Sequence, residues 1–145
     1  MYQLIIIPIV VGAITQIIKL IIDGIPNNLN WQHIYNDYGG MPSSHTAFVV
    51  SLVTAVGFRE GLDSAAFAIA LILMLIVVRD AIGFRREIGR NATMTNLLAK
   101  EVFKSKKVLV PHLRERIGHS IPEVIAGALL GFSLTSILYL VFFFQ

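Results

Sequence analysis

Three stretches of this chain run for about the length of a bilayer crossing with almost no charge. Residues 2–22 are interrupted by Gln16 and Lys19, residues 64–78 carry no ionisable side chain, and residues 121–144 carry only Glu123 as a charged residue. A transmembrane helix needs about 20 mostly apolar residues, because hydrocarbon offers no partner to an unpaired peptide group. Charged residues make up 14% of the chain, against about 25% in an ordinary soluble domain. Mean hydropathy is +0.72. Together these exclude a disordered chain, a coiled coil and most soluble domains. The expectation is an integral membrane protein, multi-pass, with a single transmembrane domain over residues 1–145. Cys is absent, which removes disulfides, thiolate metal sites and a cysteine nucleophile.

Four spans are expected, at about 2–22, 43–58, 64–82 and 121–144. No basic stretch precedes the first and no small-residue cleavage site follows it, so it reads as a retained helix and not a signal peptide. The second is short for a crossing and must start earlier in the loop or be tilted. Residues 23–41 are polar, with turn signals at Gly24, Pro26, Asn27, Asn28 and Gly39-Gly40. Trp31 and Tyr38 fit an interfacial aromatic belt, and His33 and His112 read as loop residues. A tight turn follows at Arg59-Glu60-Gly61-Leu62-Asp63, after which Asp63 or Ser64 caps the third span. Within residues 84–118, Met94, Leu97, Leu98, Val102 and Phe103 share roughly one helical face, with Lys100, Lys104, Lys106 and Lys107 elsewhere. That pattern suits an interfacial amphipathic helix, and equally a solvated helical loop. Pro111 is expected to end it. The fold class is thus all-α: a polytopic four-helix transmembrane bundle with an interfacial amphipathic helix between spans three and four. So small a bundle is compatible with a homodimer.

Charge is unevenly spread. Residues 79–119 hold ten Lys/Arg against four Asp/Glu, while the rest of the chain is acidic. A basic segment in an apolar chain suggests anionic lipid or an anionic substrate, and not nucleic acid, as its partner. Four spans place the loops at 23–42 and 84–118 on one side of the membrane. The Lys/Arg bias makes that side cytoplasmic.

The same parity collects the polar residues at one mouth. Lys19 and Asp23 end the first span, and Pro42-Ser43-Ser44-His45 opens the second. Arg79, Asp80, Arg85 and Arg86 end the third, and His119-Ser120-Ile121-Pro122-Glu123 opens the fourth. Ionisable residues at a membrane mouth are functional suspects. Two helix N-termini aimed at one place suit an anion. Arg79, Arg85, Arg86 and Lys19 would complete a phosphate site, since guanidinium forks hold two oxygens at once. His119 and Glu123 lie one helical turn apart, so a carboxylate can orient the imidazole and raise its nucleophilicity. His45 would then be the second imidazole, a general acid. A plainer reading stands beside each of these. Ser120-x-x-Glu123 is also a capping box, Pro42-Ser43-Ser44 is also a helix cap, Lys19 can snorkel, and the arginines can be positive-inside anchors.

At these residues the chain resembles a family. Pro42-Ser43-Ser44-His45 is similar to the P-S-G-H motif of the type 2 phosphatidic acid phosphatase superfamily, which includes vanadium haloperoxidases. His119-Ser120-Ile121-Pro122-Glu123-Val124-Ile125-Ala126-Gly127 is similar to its H-x-x-x-D-V-x-A-G motif. Asp80-Ala81-Ile82-Gly83-Phe84-Arg85-Arg86 is closer still to the divergent bacterial and plant branch, the small YuiD-like membrane proteins. The resemblance covers residues 10–135. It implies a phosphatase in which His119 is the nucleophile that becomes phosphohistidine, Glu123 orients it, and His45 protonates the leaving group. Ser43 and Ser44 would help to bind phosphate. No metal or cofactor is implied, and vanadate is expected to inhibit.

Departures accompany the match. Counting from Lys19, the superfamily's first motif requires Arg where this chain has Pro26. Its third motif has Arg where this chain has Leu113, and Arg114 and Arg116 are out of register. The usual six spans are four. Arg85 and Arg86, with Arg79, are expected to take over from the missing arginines.

The first expectation is therefore a phosphatase acting on a lipid phosphate or an isoprenoid pyrophosphate. The alternative is a non-catalytic head-group-binding or assembly protein that kept the architecture. A transporter would need its polar site near the midplane. A metal-dependent enzyme would use His45, Asp80, His119 and Glu123. An aspartate-rich alcohol phosphotransferase lacks its multiple-Asp motif here.

Overall fold

The computed structural model describes residues 2–23, 40–104, 111–115 and 118–143. Among them the secondary structure is all helical: α1 (Gln3–Asp23), α2 (Ser44–Glu60), α3 (Ala65–Ile82), α4 (Phe84–Val102) and α5 (Ile121–Phe143). Expectations placed on Pro26, Trp31, His33, Tyr38, Lys106, Lys107, Arg116 and the side chain of Asp23 lie outside the described residues.

Three helical stretches are long and apolar enough to cross a membrane: Gln3–Ile22, Ala65–Val102 and Ile121–Phe142, with mean hydropathies of 2.5, 2.4 and 2.1. The middle stretch runs from α3 through a break at Gly83 into α4, and its apolar part is α3. At the break the Gly83 N–H donates to the Arg79 carbonyl at 2.8 Å. A Cβ on Gly83 would stand 2.8 Å from that same oxygen, so a side chain there would force the turn open.

The helix that is short by sequence is the centre of the bundle. α2 packs against α1, α3 and α5. Its Ser and Thr content lowers its hydropathy, but an enclosed helix has little lipid to satisfy. Its 17 residues measure about 26 Å, close to the roughly 30 Å of a hydrocarbon core.

The interior is built of small and hydroxyl side chains. Thr15, Ser43, Thr46, Ala47, Ser51, Ala55 and Thr135 are fully buried, while Ile5, Ile9, Ile17, Ile21, Ile72, Leu75, Leu129 and Ile137 are exposed. In water such an apolar surface would drive aggregation. In a bilayer it is the expected arrangement, with small residues letting helices approach and hydroxyls bonding between or within them.

Close approach fixes the helix directions. A Cβ on Gly127 would stand 2.3 Å from the Ser43 carbonyl oxygen, and one on Gly131 2.5 Å from that of Ala47. One turn further on, the Thr135 hydroxyl donates to Ser51 Oγ at 2.6 Å. Beyond that the Tyr139 hydroxyl donates to the Phe58 carbonyl. The matched order makes α2 and α5 parallel. α1 is antiparallel to both, with Gly12 against Phe48 and Gln3 accepting a hydrogen bond from Arg59. α3 is antiparallel as well. Phe67 lies against Gly57 at one end, and at the other the His119 N–H donates to the Ala81 carbonyl at 3.1 Å.

Local caps explain where the helices start. Ser43 Oγ accepts from the Thr46 N–H, and Ser64 Oγ from the Phe67 N–H at 3.1 Å. Of the two candidate caps for α3, Ser64 is the one used. α4 ends at Val102 and not at Pro111, the one boundary clearly misplaced from sequence. The reason is Asn96. Its Oδ1 accepts from the Leu113 N–H at 2.9 Å and its Nδ2 donates to the Leu113 carbonyl at 2.7 Å. A helix continued to Pro111 would carry the chain roughly 20 Å past Asn96, so the chain must turn back earlier.

Candidate functional site

With these directions, the N-termini of α2 and α5 and the C-termini of α1 and α3 share one end of the bundle. The antiparallel register of α1 on α2 sets Lys19 level with Pro42 and Ser43, and Lys19 is buried, 6% exposed. His119 is also buried, at 3%. Its backbone is fixed from the side of α3: besides the bond to Ala81, the preceding Gly118 has φ +96° and packs on the Arg85–Arg86 backbone. A Cβ there would stand 2.7 Å from the Arg86 nitrogen. Only glycine meets both demands comfortably.

A cavity of about 240 Å³ opens at this end, with His45, Asp80, Arg85 and His119 as its polar lining and Ile76, Val77 and Ala81 as its apolar wall. Arg85 Nε donates to Asp80 Oδ2 at 2.8 Å across the Gly83 break. The two histidines thus come from α2 and from the start of α5, while the ion pair comes from the α3–α4 junction.

Other expected site residues are near but do not line this cavity. Ser43 is fully buried and its hydroxyl is the α2 cap, accepting also from the Thr46 hydroxyl at 3.0 Å. Ser44 is the first residue of α2 and half-buried, and Arg79 and Arg86 are exposed. Glu123 Oε2 accepts from the Ser120 N–H at 3.0 Å, and the Ser43 N–H donates to the Glu123 carbonyl at 3.0 Å. The Glu123 half of the capping box is therefore formed. Glu123 ties the first turn of α5 to itself by its side chain and to α2 by its backbone. Among the described residues no three of His, Asp and Glu converge as a metal site would need.

Sequence reasoning misses two features of this end. It groups Asp80 with the mouth but gives it no part in the phosphate site. It gives Gly118 and Gly127 no structural role, although Gly118 packs the His119 turn on the Arg85–Arg86 backbone and Gly127 lets α5 close on Ser43. Asp80 has a legible signal, an acid in the last turn of an apolar helix. The glycines' contacts depend on tertiary packing.

A small all-helical membrane protein with two histidines and an arginine around a cavity at one end of its bundle is the class these features define. The chain belongs to the Divergent PAP2 family, whose profile matches residues 2–134. It is 40% identical to a protein of Bacillus subtilis (strain 168) described as uncharacterized membrane protein YuiD, over 90% of this chain and 88% of that one. No solved structure matches the chain.

Proposed function

We propose that this protein is a membrane-embedded phosphatase that hydrolyses a lipid phosphate or an isoprenoid pyrophosphate through a phosphohistidine. The observation that supports it most is the cavity shared by His45, Arg85 and His119. Family membership supports a phosphatase-related chemistry. In this reading α1, α2, α3 and α5 cross the bilayer, α4 lies along its surface, and the cavity faces the cytoplasm. The substrate's tail lies against Ile76 and Val77, and its phosphate enters among the polar groups.

An imidazole nitrogen of His119 attacks phosphorus, forming the N–P bond as the P–O bond to the leaving group breaks. His45, protonated, gives its proton to the departing oxygen. Water then attacks the phosphohistidine, losing a proton to His45 and releasing inorganic phosphate. Arg85, with Arg79, Arg86 and Lys19 around the mouth, offsets the charge on the equatorial oxygens. Ser44 and the N-terminus of α2 add donors, and Ser43 fixes that terminus by capping it. Glu123 acts by fixing the turn that carries His119. No resident metal takes part in these steps.

A second reading is favoured by a specific observation. The Ser43 hydroxyl and the Glu123 carboxylate are both engaged in capping, as a head-group binder without turnover would allow. The deciding experiment is phosphate release by the purified protein in detergent, with EDTA present. The panel is phosphatidic acid, phosphatidylglycerol phosphate and an isoprenyl pyrophosphate, with His119→Ala and His119→Asn in parallel. Release that both variants lose, with their folds intact, is the expected result. A folded wild type that releases nothing from any substrate overturns catalysis and leaves the binding protein.

A further inference from the structure

Asp80 and Arg85 each stand at the wrong end of a helix. Asp80 is in the last turn of α3, where the macrodipole is negative and repels a carboxylate. Arg85 is in the first turn of α4, where the positive end repels a guanidinium. Neither placement serves its own helix. The pair forms across the Gly83 break at 2.8 Å, and its side chains are 37% and 42% exposed for Arg85 and Asp80 respectively. An ion pair that open adds little to stability. Both residues line the cavity that holds His45 and His119. Local preferences broken at a cavity wall, with little stability returned, are the mark of a functional constraint.

The geometry points to Asp80 as a positioning residue: its carboxylate, by accepting from Arg85 Nε, holds the guanidinium in the cavity wall as the arginine that meets phosphate. This inference rests on the phosphate-site reading above. The break supplies the means. α3 ends and α4 begins at Gly83, so a side chain five positions on can turn back to Asp80. Gly118 packs on the Arg85–Arg86 backbone from the other side, and the His119 N–H holds Ala81 beside Asp80. The guanidinium and His119 are thereby referred to one rigid junction. A carboxylate so near a phosphate also repels it, and the two effects carry opposite signs in a binding measurement.

The test uses the full chain in detergent and orthovanadate and inorganic phosphate as probes. Binding is read by titration calorimetry for wild type, Asp80→Asn, Asp80→Glu, Arg85→Gln and the Asp80→Asn/Arg85→Gln double variant. Phosphate release and thermal midpoints are followed in parallel. Positioning predicts that Asp80→Asn weakens anion binding about tenfold, the cost of one misplaced charge-assisted hydrogen bond. Asp80→Glu recovers most of it, the double variant binds no worse than Arg85→Gln alone, and the midpoint does not fall. Binding by Asp80→Asn equal to or tighter than wild type overturns the inference, because repulsion would then be all that Asp80 contributes. Independent losses in the double variant overturn it too, as does a wild type that binds neither anion. A wild type that binds both without releasing phosphate, and loses binding on Asp80→Asn, refutes catalysis while upholding the positioning role.

Discussion

Gly127 shows how much a single missing side chain decides. The position a Cβ would take lies 2.3 Å from the Ser43 carbonyl oxygen, deep inside contact distance, and the obstacle is backbone. Gly127→Ala must push α5 away from α2 at the turn where the Ser43 N–H meets the Glu123 carbonyl. Overpacking ordinarily costs about 1–3 kcal/mol, and with backbone on both sides the upper end is expected. The measurement is the unfolding midpoint in detergent, with Ile137→Ala on the exposed face of the same helix as the control. Two turns along, Thr135→Val removes the 2.6 Å bond to Ser51 at nearly constant volume. It strands a buried hydroxyl, at a cost of about 1 kcal/mol. At this scale the sequence carries the residue types of the mouth, because His, Arg, Ser and Glu name their own chemistry. It does not carry the contacts of Gly118, Gly127 and Thr135, since a glycine's neighbour is set by another helix.

Elements are legible where their rule is local. Apolar length locates α1, α3 and α5, and a hydroxyl ahead of an apolar run locates the starts of α2 and α3. The end of α4 escapes because a distant side chain sets it. The clasp that does so includes Glu115, which accepts from Asn96 Nδ2 at 2.8 Å and from the Thr93 hydroxyl at 3.2 Å. The Asn96 hydrogen bond, joined by the Thr93 bond and the nearby His112, holds the Glu115 carboxyl below its ordinary value of 4.5. A carboxyl lowered by folding stabilises the fold above its unfolded value and loses that contribution as pH falls through the folded one. The clasp should therefore hold at neutral pH and loosen in acid, as pH falls below the carboxyl's ordinary value and through its lowered one. Protection of the Leu113 amide against hydrogen exchange reports it directly. Asn96→Ala should abolish that protection at every pH, while Glu115→Gln should remove its pH dependence. Protection of Leu113 that persists in Asn96→Ala would show that the segment is held by something else.

At the scale of the whole molecule, helix direction and charge together define a sidedness. The parallel pair α2 and α5 starts at the end where α1 and α3 finish, so the cavity lies at the end where the chain leaves α3 and where it enters α5. The chain between α3 and α5 contains most of the protein's Lys and Arg. Basic connections are retained on the cytoplasmic side during insertion, and anionic cytoplasmic lipid attracts them further. The cavity is therefore expected to open to the cytoplasmic leaflet and draw its substrate from there. Lys106, in the basic run between α4 and α5, gives a clean probe because the protein has no native Cys. Lys106→Cys should stay unlabelled when intact cells meet an impermeant thiol reagent, and should label once the membrane is opened. Ser64→Cys, beyond the other end of α2, should do the reverse. If Lys106→Cys labels from outside, the charge bias has been overridden and the cavity faces the outer leaflet. The substrate pool would then be the one that leaflet holds. If both cysteines label from the same side, α3, the apolar helix between them, does not cross, and the shared end of the bundle must be built another way.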